Sequence, residues 1–308
     1  MATPYLKVGS RGSPLALAQT RQVCDRLAEA AGIARSDIEI VIIRTTGDRI
    51  VDRSLAEAGG KGLFTKELDE ALIAGAIDCA VHSAKDLPTL LPAGIVIAGC
   101  PPREDARDAL ICSVAASFAA LPQGARLGSA SPRRQAMALR ARPDLKVGLL
   151  RGNVETRLRK VETGEFDLTL LALAGLKRLG LAARAAAVLD VDDFLPAVGQ
   201  GAIAVTARLG DARLQASLAQ IFDAPTGLAL AAERAFLAVL DGTCRSPIAG
   251  YARVTGGTVR FLGLIARPDG SEVLEVSRDG PRGNAAALGA DAGHELKSRA
   301  GPGFFVPD

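Results

Sequence analysis

The sequence predicts two α/β lobes facing each other across a cleft, followed by a small C-terminal α+β domain. Three observations carry that reading. Short apolar runs alternate with amphipathic stretches through most of the 308 residues, the grammar of successive βαβ units. Two Pro- and Gly-rich crossings interrupt it, Pro101-Pro102-Arg103-Glu104-Asp105 and Pro196-Ala197-Val198-Gly199-Gln200-Gly201. The chain is therefore expected to leave a first lobe and later return to it. Beyond the second crossing, strand-like segments follow at meander spacing. The expected boundaries are 1–101 with 202–224 for the first lobe, 106–197 for the second and 226–308 for the C-terminal domain.

Taken in order, Leu6 to Gly9 reads as a short buried strand. An amphipathic helix follows from Leu15 to about Ala31, with Ser13 as its cap and Pro14 at its first position. Ile38 to Arg44 is a strand and Thr46-Gly47-Asp48 a turn. The glycine-rich loop Gly59-Gly60-Lys61-Gly62 precedes a helix from Thr65 to Ala74. Cys79 to His82 is a strand ending in the loop Ser83-Ala84-Lys85-Asp86-Leu87-Pro88, and Ile95 to Cys100 is another. Ile203 to Ala207 resumes the strand pattern after the second crossing, before a helix from Thr226 to Leu240. Strands at Ile248–Val254, Thr258–Ile265 and Glu272–Ser277 and a helix near Asn284 to Arg299 complete the chain.

The second lobe rhymes with the first. Leu127-Gly128-Ser129-Ala130-Ser131-Pro132 repeats the order of Val8-Gly9-Ser10-Arg11-Gly12-Ser13-Pro14: strand, serine loop, serine cap, proline, helix. Gly164-Glu165-Phe166-Asp167 before a strand echoes Gly75-Ala76-Ile77-Asp78. The offsets, 119 and 89 residues, differ, so this is no solenoid period. Any two βαβ units share some of this grammar, and the sequence alone leaves a chance likeness open. A real one would aim two serine-capped helix N-termini at the cleft, where unpaired N–H groups and the helix dipole favour anions. Mostly parallel sheets are expected, with ligands beyond the strand C-termini, where Ser83 to Pro88 lies.

Composition narrows the functional classes. The chain is 48% hydrophobic and 23% charged, ordinary for a globular protein. Aromatics make up 4% and Trp is absent, so stacking platforms for single-stranded nucleic acid are scarce. The five cysteines form no C-x-x-C and the two histidines lie far apart, which argues against a metal site. Cys24, Cys79, Cys100 and Cys112 sit in apolar runs and read as core. No signal peptide, lipidation motif or long apolar run is seen, so a soluble cytoplasmic protein with no membrane partner is expected.

The formal charge of +3 is unevenly spread. From Arg126 to Lys160 ten basic residues stand against two acids, Asp144 and Glu155, a net of +8. Arginine dominates, which suits bidentate pairing with carboxylate or phosphate. Arg133, Arg134, Arg151 and Arg157 fall at predicted helix starts and strand ends, where the cleft would be, and Arg140, Arg142, Arg159 and Lys160 are assigned to solvated faces. Arg11, Arg44, Lys61, Lys85 and Arg178 occupy comparable loop positions. Nucleic acid is the plainest partner for such a cluster. The chain offers no reading helix, zinc finger or ribonucleoprotein motif, so a polyanionic small molecule fits better and no nucleic-acid partner is expected.

One further stretch stands out, Leu240-Asp241-Gly242-Thr243-Cys244-Arg245-Ser246-Pro247, a loop between a long Ala/Leu-rich helix and the β-rich tail. Cys244 has polar and cationic neighbours, Thr243 and Arg245, and a nearby guanidinium favours the nucleophilic thiolate. Read alone, it is either such a nucleophile or a small hydrophobe that happens to lie in a loop.

Several of these segments together resemble one family. They include Ser10-Arg11-Gly12-Ser13-Pro14-Leu15-Ala16-Leu17-Ala18-Gln19, Gly59-Gly60-Lys61-Gly62-Leu63-Phe64 and His82-Ser83-Ala84-Lys85-Asp86-Leu87-Pro88. Leu150-Arg151-Gly152-Asn153, Ala174-Gly175-Leu176-Lys177-Arg178-Leu179-Gly180 and Pro196 to Gly201 follow in the same order. The set resembles the hydroxymethylbilane synthase (porphobilinogen deaminase) family from about residue 6 to the Cys244 loop and, more loosely, through the tail.

The resemblance implies two lobes similar to periplasmic-binding-protein lobes around a cleft, plus the C-terminal domain. It implies a monomeric transferase that condenses four porphobilinogen molecules head to tail, releases ammonia, and hydrolyses off linear 1-hydroxymethylbilane. It also implies one covalent dipyrromethane cofactor per chain, thioether-linked to Cys244. Lys85, Ser83, Ser129, Ser131, Arg133, Arg134, Gly152 and Asn153 are the matching cofactor-binding residues. Arg11, Ser13, Gln19, Lys61, Arg151, Arg157, Arg178 and Gln200 are expected to bind substrate.

Asp86 matches the catalytic carboxylate, whose other reading is a turn cap. The sequence departs from the pattern at Thr243, where the family has glycine, and at Ala130 and Pro132, which remove a hydroxyl and stiffen the helix start. The alternative function is a non-catalytic cytoplasmic two-lobe binding protein for a polyanionic small molecule. Cys244 separates the two readings, because a pure receptor has no need of a reactive loop thiol.

Overall fold

Three sheets organise the chain in the computed structural model, which describes residues 5–49, 62–242 and 246–305. Lys61, Thr243, Cys244 and Arg245 lie outside the described residues. The first lobe opens with β1 (Leu6–Ser10) and α1 (Pro14–Ala31). The Ser13 hydroxyl accepts the Ala16 N–H at 3.3 Å, and Gly32 ends the helix in the left-handed conformation, φ 62°. Then come β2 (Ile38–Ile42), α2 (Thr46–Arg49), α3 (Lys66–Ile73), β3 (Cys79–Ser83) and β4 (Ile95–Gly99). The predicted turn at Thr46 is thus one turn of helix, and β2 stops two residues short of the expected Arg44.

The second lobe holds β5 (Asp108–Cys112), β6 (Arg126–Gly128), α4 (Pro132–Ala141), β7 (Lys146–Gly148), α5 (Val154–Glu162), β8 (Leu168–Ala172), α6 (Leu173–Arg178) and β9 (Ala187–Val188). The chain returns as β10 (Ile203–Arg208) and α7 (Ala212–Ala219). Helix α8 (Ala224–Val239) follows, capped by Asp223, whose Oδ2 accepts the Thr226 N–H at 2.8 Å. The meander β11 (Ile248–Thr255), β12 (Thr258–Ala266) and β13 (Val273–Pro281), with α9 (Ala285–Ala300), forms the small third domain. Its core joins Phe236 of α8, Phe261 of β12 and Leu296 of α9.

The two large sheets have the same order, β2-β1-β3-β10-β4 and β7-β6-β8-β5-β9. Four strands of each run one way, as the expectation of mostly parallel sheets has it, and one strand is reversed. In each, three parallel strands meet an antiparallel fourth, β10 or β5. A βαβ connection returns the chain to the same end of a sheet and makes strands parallel. A strand arriving directly from the other lobe starts at the cleft end and runs away from it. Register shows this: Asp108 begins β5 opposite Ala172, the last residue of β8, and Ile203 begins β10 opposite Ser83, the last of β3.

The rhyme between lobes extends to atoms. Asp78 Oδ2 accepts the Lys7 N–H at 2.7 Å, and Asp167 Oδ2 accepts the Arg126 N–H at 2.7 Å. Gly9 and Gly128 stand at matching places because a Cβ there would collide with Ile77 or Phe166. Two βαβ units meeting by chance would not repeat a side-chain bond and a glycine contact in register.

One carboxylate ties the crossings together. Glu233 of α8 is fully buried and accepts Arg103 Nη1 at 2.5 Å and Nη2 at 3.2 Å, from the first crossing. It also accepts the Gly199 N–H of the second crossing at 2.6 Å and the Ala252 N–H of β11 at 2.8 Å. Such charge-assisted bidentate pairs are the strong ones. Of the expected core cysteines Cys24, Cys79 and Cys100 are buried, and burial pushes the Cys24 thiol up to about 11; Cys112 is half-buried.

Candidate active site

The first wall of the cleft is built where β1 and β3 end. Beyond β3, Ala84–Asp86 makes one 3₁₀ turn that turns Lys85 and Asp86 out of the sheet. Arg11, Ser13, Gln19, Ser83 and Asp86 line a single pocket with Phe64 and His82. Arg11 lies over the Phe64 ring, 4.2 Å from its centroid, and its Nη1 is 3.7 Å from Asp86 Oδ2. Gln19 is buried and exchanges hydrogen bonds with the Ser83 hydroxyl at 2.9 and 3.1 Å. A larger crevice, about 350 Å³, lies apart, between Leu195 of the second lobe and Leu262 of the C-terminal sheet.

The second wall is built from helix starts. Ser129 Oγ accepts the Ser131 N–H at 3.1 Å, and Ser131 Oγ accepts the Arg134 N–H at 3.4 Å, which caps α4. Asn153 caps α5 by accepting the Thr156 N–H at 2.9 Å. Gly152 sits at φ 116°, a backbone shape that favours glycine, and its carbonyl takes Arg157 Nε at 2.9 Å. Arg178 ends α6 and donates from Nη2 to Gly201 O at 2.9 Å, while its Nε is buried with no hydrogen-bond partner.

The walls sense each other. The packed surroundings strip water from the Lys85 ammonium and Arg134 repels it, so its pKa is pushed down to about 8 although the side chain opens onto the cleft; Asp86 and Asp108 oppose the shift. Loss of hydration, with Arg134 and Arg151 close by, pushes Arg157 down to about 10 against the pull of Asp86 from the other lobe. Burial also lowers Arg178. The cleft therefore holds more cation than its own acids compensate.

Three site expectations change. Arg133, Arg134 and Gln200 are all buried, each with partners inside the protein. Arg133 donates to Asp108 Oδ2 at 2.7 Å and to Leu195 O at 2.9 Å, beside the Phe194 ring. Arg134 pairs with the other oxygen of Asp108, Nη2 at 2.7 Å and Nε at 3.1 Å. Two guanidiniums on one buried carboxylate outweigh its desolvation and hold Asp108 well below the usual carboxylate range. Gln200 Nε2 donates to Ala106 O at 2.7 Å and Asp108 Oδ1 at 3.0 Å, and its Oε1 accepts Lys85 Nζ at 3.3 Å. Arg142, assigned to a solvated face, instead clamps Phe118 O, Leu121 O and Asp144.

Sequence reasoning missed Asp108, Glu233, Phe64 and Thr89. The Thr89 hydroxyl donates to Gly242 O at 2.7 Å, and Arg234 Nη2 holds Pro88 O and Thr89 O, each at 2.8 Å. The turn carrying Asp86 is thereby fastened to the start of the Cys244 loop. Among the described residues no group of three His, Cys, Asp or Glu side chains gathers, and no helix is long and apolar enough to cross a membrane.

Two α/β lobes, a cleft walled with cations and one carboxylate, and a third domain whose Gly242 carbonyl holds the Thr89 hydroxyl beside the carboxylate's turn make up the site. The family model "Porphobilinogen deaminase, dipyromethane cofactor binding domain" matches residues 6–216, and "Porphobilinogen deaminase, C-terminal domain" matches residues 228–298. The chain is 59% identical over 299 residues to the porphobilinogen deaminase of Nitrobacter winogradskyi, covering 97% of this chain and 95% of that one. It is 54% identical over 305 residues to the chloroplastic porphobilinogen deaminase of Oryza sativa subsp. japonica, covering 97% and 85%.

A solved nutrient binding protein from Burkholderia cenocepacia, bound to methionine, is 16% identical with a TM-score of 0.43, over 72% of this chain and 92% of that one. The chain belongs to the porphobilinogen deaminase family, so it is an enzyme and the alternative of a non-catalytic binding protein falls away.

Proposed function

We propose that this chain is a hydroxymethylbilane synthase whose cleft divides the work among the residues named above. The observation that carries the proposal is the gathering of cations about one carboxylate: the buried Arg178 Nε has no hydrogen-bond partner, Arg11 stands 3.7 Å from Asp86, and Lys85 and Arg157 are both pushed down by desolvation and by neighbouring arginines. Such groups are costly unless anions arrive to meet them. Porphobilinogen brings two carboxylates per molecule, and a dipyrromethane cofactor thioether-linked to Cys244 would add more, so the residues fit that group. When bound, the cofactor supplies the primer to which the first substrate is joined.

In this reading Arg11, Arg134, Arg151, Arg157, Arg178, Lys61 and Lys85 pair with carboxylates. Ser13, Gln19, Ser83, Ser129, Ser131, Gly152 and Asn153 orient them through hydroxyls, amides and helix N-termini. Arg133 and Gln200 act from beneath the surface by holding Asp108 and Lys85. Asp86 accepts pyrrole N–H groups, offsets the positive charge left on a substrate when ammonia departs, and carries the proton exchanged in that step. The protein is cytoplasmic and monomeric, with no nucleic-acid or membrane partner.

The test joins product to covalent mass. Purified enzyme given porphobilinogen should release one linear tetrapyrrole per four substrates and show a dipyrromethane mass addition that Cys244→Ala lacks. Unmodified wild-type protein after growth with porphobilinogen available would overturn the proposal.

A further inference from the structure

Asp108 does not itself open onto the cleft, yet it sits where the two lobes and both crossings meet. It is fully buried at the cleft end of β5, immediately after the first crossing. Its Oδ1 accepts Arg134 Nε, Arg134 Nη2 and Gln200 Nε2 at 3.1, 2.7 and 3.0 Å, and its Oδ2 accepts Arg133 Nη2 at 2.7 Å. Gln200 belongs to the second crossing and passes the connection on, because its Oε1 accepts Lys85 Nζ at 3.3 Å. A continuous polar path thus runs from α4 in one lobe, through Asp108 and Gln200, to the turn beside Asp86 in the other. The amide can bridge in only one sense, since Asp108 is an acceptor and the ammonium a donor.

We infer that Asp108 is a positioning residue of the cleft, fixing Arg134 in one wall and, through the Gln200 amide, the Lys85 ammonium in the other. This rests on reading the cleft as the working site. The charged groups facing Lys85 are Arg133 and Arg134 on α4, Asp108 on β5 and Asp86 on its own turn; Gln200, from the second crossing, is neutral. The two arginines favour the neutral amine and the two aspartates favour the ammonium. Without Asp108 its arginines would act on Lys85 opposed by Asp86 alone, and the amide would lose the group that orients it. Lys85 would then shed its proton at lower pH, and with it a carboxylate partner.

The experiment reads Lys85 itself and needs no turnover. Competitive acetylation of the folded chain across pH, followed by peptide mass spectrometry, gives the midpoint at which the neutral amine becomes reactive. Wild type should react at Lys85 with a midpoint near 8, as its depressed pKa requires. Asp108→Asn should move that midpoint down by about one pH unit. Gln200→Leu leaves the Asp108–arginine pairs intact and should move it down by less, so it decides the question if Asp108→Asn fails to fold. Asp144→Asn, which alters only the Arg142 pair and the Gly124 N–H contact, both outside the polar path through Asp108, serves as control and should leave Lys85 unmoved. A Lys85 midpoint unchanged in the folded variants would overturn the inference, whether or not the chain proves to make a tetrapyrrole.

Discussion

At matching places on two sheets of identical order, the first lobe presents Arg11, Ser13, Ser83 and Asp86 while the second presents Ser129, Ser131, Arg134 and Arg157. The frame repeats down to Asp78 and Asp167 clasping the first residues of equivalent strands. What differs is how charge is supported. Arg11 lies on the Phe64 ring, partly solvated, within reach of an acid that also faces the cleft. Arg133 and Arg134 share a buried carboxylate that has no counterpart among the described residues of the first lobe. A repeated backbone decides where groups stand; the residues beneath them decide whether a wall holds an acid beside a cation or a bank of cations.

The largest effect that tests this contrast is on stability. Arg133→Leu leaves half of the Asp108 carboxylate buried without its partner and should cost about 3–5 kcal/mol in urea denaturation. Arg11→Leu, in the loop ahead of the matching helix of the first lobe, breaks a loose pair at 3.7 Å and should cost less than about 1 kcal/mol. Equal losses would erase the distinction between the walls.

A second test uses pH. Lys85 in the folded chain loses its proton near 8, whereas an unfolded lysine does so near 10.4. Between those values the unfolded state binds more protons, so this group makes stability rise with pH. Lys85→Met removes the penalty of holding a desolvated ammonium. Its melting temperature should exceed that of wild type most clearly below pH 8, and the gain should shrink as pH climbs toward about 10.4. A gain that grows with pH would mean that the cleft stabilises the ammonium.

The smallest expected effect lies outside the cleft. Arg140 meets Glu275 of the C-terminal domain at 2.5 Å, but both side chains are about half exposed. Arg140→Leu should change stability by no more than about 1 kcal/mol and leave turnover intact.

Much of this was readable in the residues. Ser13-Pro14, Ser131-Pro132 and Asn153 announce helix starts through local chemistry, and each cap forms. Strand direction was not readable, because β5 and β10 carry the same apolar runs as their parallel neighbours and only the path between lobes reverses them. Strand β13 runs four residues past the expected Ser277, through Arg278-Asp279-Gly280-Pro281, none of them apolar core and none buried. Asp108 and Glu233 escaped notice because their partners lie 19 to 130 residues away, with no local spacing to mark them. Gln200 looked like a loop residue in a flexible crossing. Only the meeting of two crossings shows it as a buried bridge.

The division of labour between the walls is tested most directly by paired kinetics on cofactor-loaded protein. Asp86→Asn keeps the shape of the turn and removes its charge, so kcat should fall about 10²–10³-fold with KM for porphobilinogen little changed. Arg157→Leu removes a carboxylate partner in the opposite wall, so KM should rise by about tenfold or more with kcat largely retained. Near-normal turnover by Asp86→Asn, or a loss of kcat at unchanged KM in Arg157→Leu, would contradict the account.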